Sequence, residues 1–203
     1  SDVYKRQILR VAKSQEADSG TYNVIVQNSG GTAISETAEL IVLVPPEITQ
    51  LTESLTVIDG ESVELPVAAL GSEPLAYQWS RGGEAIAGAT GLRLSLTEVT
   101  DSAAGDYSVS VSNAAGEVES GVVTVKVIEP ITIVTQPEGG SAIVGDAVTL
   151  EVVVEGTEPI SYYWYQDGEL VEGATESILR LAKSQEADSG SYNVIVQNRG
   201  GTA

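Results

Sequence analysis

At 203 residues with 42% hydrophobic composition the chain is long enough to bury a core, and its 29 acidic against 10 basic residues give a net charge of -19. That charge repels phosphate backbones and anionic lipid, so nucleic acid and membrane surfaces are disfavoured partners. Without cysteine or histidine the chain has no disulfide, thiolate or imidazole chemistry, and only oxygen-ligated ions such as calcium remain as metals.

No apolar run nears the roughly 18 residues of a membrane-spanning helix, so membrane insertion is not expected, and no amino-terminal stretch has the pattern of a signal peptide. Taken in chain order, the elements are turns and strands. NSGG at 28 to 31, GSEP at 71 to 74 and RGGE at 81 to 84 carry turn chemistry. YSVSVSN at 107 to 113 alternates apolar and polar residues with the period of a half-buried strand. VVTVKV at 122 to 127 and AVTLEVVV at 147 to 154 are rich in β-branched residues. GTEP at 156 to 159 and QDGE at 166 to 169 are further turns. No segment carries a helical stripe, so the spacing of short strands and turns predicts an all-β sandwich.

The chain also repeats itself. DSGTYNVIVQN at 18 to 28 returns as DSGSYNVIVQN at 188 to 198. Tyr22, Tyr107 and Tyr192 stand 85 residues apart, as do Asn28, Asn113 and Asn198, and so do Trp79 and Trp164. This is a tandem array with a unit of 85 residues. The joints LVPPEI at 43 to 48 and VIEPIT at 127 to 132 contain proline and no glycine or serine run, which predicts a semi-rigid rod.

The order G-x-x-V-x-L, a strand centred on tryptophan (YQW at 77 to 79, YYW at 162 to 164), L-x-L and then D-x-G-x-Y resembles the immunoglobulin-like sandwich of the intermediate set. The wording GSEPLAYQW and GTEPISYYWYQDGELVEGAT is similar to repeats of large secreted or surface proteins of environmental bacteria. The resemblance implies tandem, disulfide-free sandwiches. Residues 1 to 44 would be strands E to G of one domain, 45 to 128 a complete domain, and 129 to 203 a domain lacking its last strand. It implies that Trp79 and Trp164 are core residues of strand C and that Tyr22, Tyr107 and Tyr192 are tyrosine-corner residues. Where many such domains join strands B and F by a disulfide, this sequence has Val67 with Val109 and Val152 with Val194. Apolar packing is expected in place of the bridge, and cysteine usage then selects no compartment. Export to the cell surface or medium is what the resemblance implies. Ala103 stands where Asp18 and Asp188 stand in the other units, with Asp101 as the nearby substitute carboxylate. DVYKRQ at 2 to 7 is similar to the translation of a transposon-end sequencing adapter, so the chain is expected to be a fragment of a longer array.

Two functions fit these features. One is a non-catalytic secreted or cell-surface scaffold that spaces modules or adheres to a protein or glycan partner. The other is a carbohydrate-binding accessory region of a larger polysaccharide-degrading enzyme. Glu169 and Glu172 could be written as a glycosidase pair, but in a turn-rich surface stretch they read as solvated carboxylates. No cofactor is expected. The candidate ligand face begins with Tyr163 and Tyr165, which flank Trp164 so that alternation turns both outward. Asn193, Ile195 and Gln197 would lie beside them on strand F. Exposed tyrosines stack on sugars or anchor protein partners, and they also simply cover sheets. Asp101, Glu129 and Glu158 are candidate calcium ligands at a joint. The turn tips vary at Ser29, Ala114 and Arg199, where binding residues can sit. Finally, the first segment carries the strand that the third unit lacks, which predicts end-to-end association by strand donation.

Overall fold

The computed structural model describes residues 7–203. Residues 1–6, which hold most of the adapter-like DVYKRQ stretch, lie outside the described residues. Contacts group the chain into two compact units. One contains the residues up to Leu51 with Pro66–Leu92 and Ser108–Gly121, and the other contains Thr52–Leu65, Arg93–Tyr107 and Val122–Ala203.

The first segment starts with a single 3-10 turn, Glu16–Asp18. The Asp18 carboxylate accepts the Gln15 N–H at 2.8 Å, and the Tyr22 hydroxyl donates to the Asp18 carbonyl at 2.7 Å. Those two bonds satisfy a turn that has no helix to lean on. Strands β1 (Gly20–Tyr22) and β4 (Ala38–Leu40) pair antiparallel, and β2 (Ile25–Asn28) and β3 (Gly31–Ile34) form a hairpin. Val24 and Val26 are 55% and 60% exposed. Their counterparts one period on, Val109 and Val111, are fully buried.

The second repeat runs through β5 (Glu47–Leu51), β6 (Leu55–Ile58), β7 (Val63–Leu70), β8 (Ala76–Arg81), β9 (Glu84–Ala85), β10 (Arg93–Leu96), β11 (Gly105–Asn113), β12 (Gly116–Glu119) and β13 (Val123–Ile128). One sheet has the order β10-β7-β5, and the other has β6-β13-β11-β8-β9 with β12 also on β11. The pair β6 and β13 is parallel, whereas β5 and β7 are antiparallel with a bulge between Ile48 and Gln50. The chain thus crosses from one sheet to the other between β5 and β6. Alternation along the strands explains which side chains are inside. Leu65 and Val67, Tyr107, Val109 and Val111, and Val123 and Val125 are all buried, each apolar one contributing about 1.5–3 kcal/mol by leaving water.

The third repeat has β14 (Thr132–Thr135), β15 (Val148–Glu151), β16 (Val153–Glu155), β17 (Ser161–Gln166), β18 (Glu169–Leu170), β19 (Ile178–Leu181), β20 (Tyr192–Asn198) and β21 (Gly201–Thr202). The apolar run at 147 to 154, expected as one strand, divides its pairing. β15 pairs with β19, β16 pairs with β14, and between them Val152 N–H donates to Ser177 O at 3.0 Å. A core of Ile131, Leu150, Val152, Trp164, Leu179, Val194 and Val196 fills the interior. Both tryptophans are fully buried, and their indole N–H groups donate to the carbonyls of Gly91 (3.0 Å) and Glu176 (2.9 Å). Val67, Val109, Val152 and Val194 are likewise buried.

Both turns GSEP and GTEP contain a cis Glu–Pro bond. At their first residue glycine is required by space. A Cβ on Gly71 would meet Pro46 Cα at 3.0 Å, and one on Gly156 would meet the Ile131 side chain at 2.9 Å.

Candidate functional site

The candidate face belongs to the sheet with strand order β18-β17-β20-β21. The register sets Tyr163 opposite Ile195, Tyr165 opposite Asn193 and Ser161 opposite Gln197. On its other side Tyr165 faces Leu170 of β18, and Gln197 faces Thr202 of β21. Trp164, Val194 and Val196 point into the core, so these partners share the outer side. All five candidate residues therefore lie on one surface. Tyr163 is 39% exposed, Ile195 36% and Leu170 51%, while Tyr165 is half-buried and Asn193 and Gln197 are exposed.

Leu170 was not among the residues selected from the sequence. It lies in a two-residue strand beside a turn, too short for alternation to assign its side. The neighbouring Val171 packs against the core and its N–H donates to Trp164 O at 2.8 Å, which turns Leu170 and Glu172 outward. Continuing the β17 to β18 register places Glu172 opposite Tyr163.

The turn that carries this edge is held from below. Asp167 adopts φ 51 and Gly168 φ 88, two consecutive left-handed residues of the kind that suit a tight hairpin. The Asp167 carboxylate accepts the Ser191 N–H at 2.8 Å, its own N–H donates to Ser191 O at 2.8 Å, and the Gln166 amide donates to Ala187 O at 2.9 Å. A left-handed aspartate is uncommon, and these bonds offset its conformational cost. Beneath the face the Tyr192 hydroxyl donates to Asp188 O at 2.8 Å. Burial first, then the negative charges of Asp188 and Asp167, raise its pKa above the ordinary 10.0, keeping the phenol a donor.

The same face of the second repeat is chemically different. Gln78 and Ser80 stand one period before Tyr163 and Tyr165, and Ser108, Ser110 and Ser112 stand before Asn193, Ile195 and Gln197. Gln78 donates to the carbonyls of Trp79 and Ile86, both at 2.8 Å, Ser108 donates to Glu119 at 3.2 Å, and Ser110 bonds Glu117. These side chains are satisfied by their own repeat. The first segment keeps the strand β2 part of the pattern, as Asn23, Ile25 and Gln27, with Ile25 62% exposed.

Other expectations fare differently. Among the described residues no cluster of three or more acidic side chains could hold a metal ion, so Asp101, Glu129 and Glu158 do not converge on a calcium site. Asp101 does not stand in for the carboxylate that Ala103 lacks. The cap at Thr100 has no side-chain bond to the turn, and the Thr100 hydroxyl meets that of Ser102 at 2.7 Å. No helix among the described residues is long and apolar enough to cross a membrane.

Residues 45–113 and 130–198 each match the family described as Immunoglobulin domain. Hemicentin-2 of Mus musculus is 32% identical over 207 residues, which covers 95% of this chain and 4% of that protein. Cell adhesion molecule DSCAML1 of Mus musculus is 30% identical over 218 residues, covering 96% of this chain and 10% of its own length. The chain therefore spans a small fraction of these relatives. The solved I-band fragment I67-I69 from titin shares the fold with a TM-score of 0.78 at 22% identity, over 93% of this chain and 73% of that one. With both matched stretches together covering more than half of its residues, the chain belongs to the immunoglobulin domain family.

Proposed function

We propose that this chain is a non-catalytic, exported array of immunoglobulin-like repeats, of the bacterial surface type its wording resembles, that spaces and presents contact surfaces. The outer face of the third repeat, with Tyr163, Tyr165, Asn193, Ile195 and Gln197, is its adhesive surface for a protein on a cell or in a matrix. The observation that carries this reading is the contrast between repeats. The second repeat builds the same pair of strands with Gln78 and Ser80 where the third has two tyrosines, so the fold itself does not demand aromatic residues there. Similarity to a protein named as a cell adhesion molecule supports the direction. A stacking surface for a polysaccharide is the alternative, and the test separates the two.

Microspheres coated with the chain are allowed to attach, under flow, to surfaces bearing matrix protein or bearing polysaccharide. Attachment to protein that falls about tenfold or more in the Tyr163→Ser/Tyr165→Ser variant, while its far-ultraviolet spectrum and melting are unchanged, supports the reading; two buried aromatic anchors contribute at least that much. Attachment to polysaccharide alone moves the assignment to the accessory-binding alternative. Attachment that ignores the substitutions removes the face.

We also propose strand exchange between copies of this chain. In the second repeat β13 lies between β6 and the start of β11. One period on, the corresponding groove, lined by Gly140, Val144, Leu150, Leu181 and Tyr192, is open, and Ile143 and Val144 are 76% and 71% exposed. Residues 38 to 44 of a second copy have the sequence that fits, since β4 meets β1 in the register that β13 uses with β11.

A further inference from the structure

We infer that the partner of the third repeat's outer face is an extended peptide segment carrying arginine at alternate positions; this rests on the reading of that face as an adhesive surface. The four strands β18, β17, β20 and β21 contain no lysine or arginine. Their free edge is acidic, with Glu169 exposed in β18 and Glu172 opposite Tyr163 by register. The whole chain carries 29 acidic and 10 basic residues, so a second acidic copy is repelled from this surface and a cationic one is drawn to it. Two tyrosine rings beside a carboxylate form a place for a planar guanidinium, which stacks on the ring while pairing with the acid.

Spacing selects the shape of the partner. Tyr163 and Tyr165 are alternate residues of one strand, so their rings emerge about 7 Å apart. Alternate side chains of an extended peptide have that same spacing, and a helix does not. Leu170 and Ile195 flank the tyrosines as the cross-strand partners of Tyr165 and Tyr163. They give the aliphatic stems of two arginines an apolar bed. The second repeat offers no such place, because Gln78 is spent on the carbonyls of Trp79 and Ile86.

The test follows the tyrosine ring resonances of the full chain by NMR during titration with a blocked decapeptide of alternating arginine and threonine. Parallel titrations use the citrulline counterpart, which keeps shape and loses charge, and a neutral oligosaccharide. Saturable shifts confined to Tyr163, Tyr165, Leu170 and Ile195 are expected with the arginine peptide. Affinity should fall about tenfold in Tyr163→Ser/Tyr165→Ser and about threefold in Glu172→Gln, which leaves both rings in place. Equal affinity for the double variant, equal binding of the citrulline peptide, or shifts caused by the oligosaccharide instead would overturn the proposal. If the arginine peptide is silent while microsphere attachment still depends on the tyrosines, the partner chemistry is wrong and the face stands. If attachment ignores them as well, both readings fall.

Discussion

Tyr192 shows how one side chain serves two elements. Its ring lies against the core of the third repeat and its hydroxyl ties the end of β20 to the turn at Asp188. Replacing it by phenylalanine keeps the ring and loses one hydrogen bond, which should cost about 1 kcal/mol in urea denaturation. Tyr77, Tyr162 and Tyr192 all have pKa values raised above 10.0, in each case chiefly by burial and then by neighbouring carboxylates. A raised folded pKa means that the native state holds the phenolic protons more tightly than the unfolded chain. The stability associated with them is present below pH 10.0 and is lost as pH climbs through the folded values. Urea midpoints should therefore change little in this respect up to pH 9 and drop by about pH 11, in step with absorbance at 295 nm. A midpoint that holds above the point where the tyrosines ionise would contradict this. The corner tyrosines were legible in the sequence from their 85-residue spacing, and so were the tryptophans. Asp167 was not, because nothing in QDGE says that its backbone is left-handed or that its carboxylate reaches Ser191, 24 positions away.

At the level of strands and joints the most consequential side chain is the repeated asparagine. Asn113 donates to the carbonyls of Val44 and Ser72 at 2.8 and 2.9 Å, and Asn198 donates to those of Glu129 and Thr157 at 2.8 and 2.9 Å. The Ser72 and Thr157 hydroxyls accept the N–H groups of Val44 (2.9 Å) and Glu129 (2.8 Å) in return. Each joint residue is thereby fastened to the repeat that follows it. Asn28 has only its local bond, accepting the Gly30 N–H at 2.8 Å. Substituting Asn198 by alanine leaves two carbonyls to find water and should cost about 2 kcal/mol, read as faster hydrogen exchange at the Glu129 amide. The same change at Asn28 should leave exchange at Val44 and Glu129 untouched. Equal effects of the two substitutions would show that the fastening is not specific. The asparagine period was visible in the sequence, yet its purpose was not, since its partners are 41 and 69 residues distant. The outer-face tyrosines were legible because strand alternation is local; Leu170 was not, because a two-residue strand has no period to read.

Across the whole molecule the proposed exchange of residues 38 to 44 makes a prediction about mass. Light scattering should show species larger than a monomer that grow with concentration and disappear in Leu40→Pro. That substitution removes a ladder donor at the centre of β4. A strictly monomeric wild-type chain at every concentration reached would end the idea. Net charge sets the conditions: at -19 copies repel one another at low ionic strength, so association should strengthen as salt is added.

The sequence alone determined the all-β class, the 85-residue period, the residues of the core and the absence of thiol and imidazole chemistry. These follow from composition, alternation and spacing, which are properties of neighbours along the chain. Only the tertiary structure decided that Leu170 and Glu172 complete the tyrosine face, that Asp167 braces its edge and that Asn113 and Asn198 fasten the joints. It also dispersed the acidic residues that might have held calcium. Those outcomes depend on strand register and on hydrogen bonds between distant segments, where the pairing energy lies between residues that the sequence does not place together.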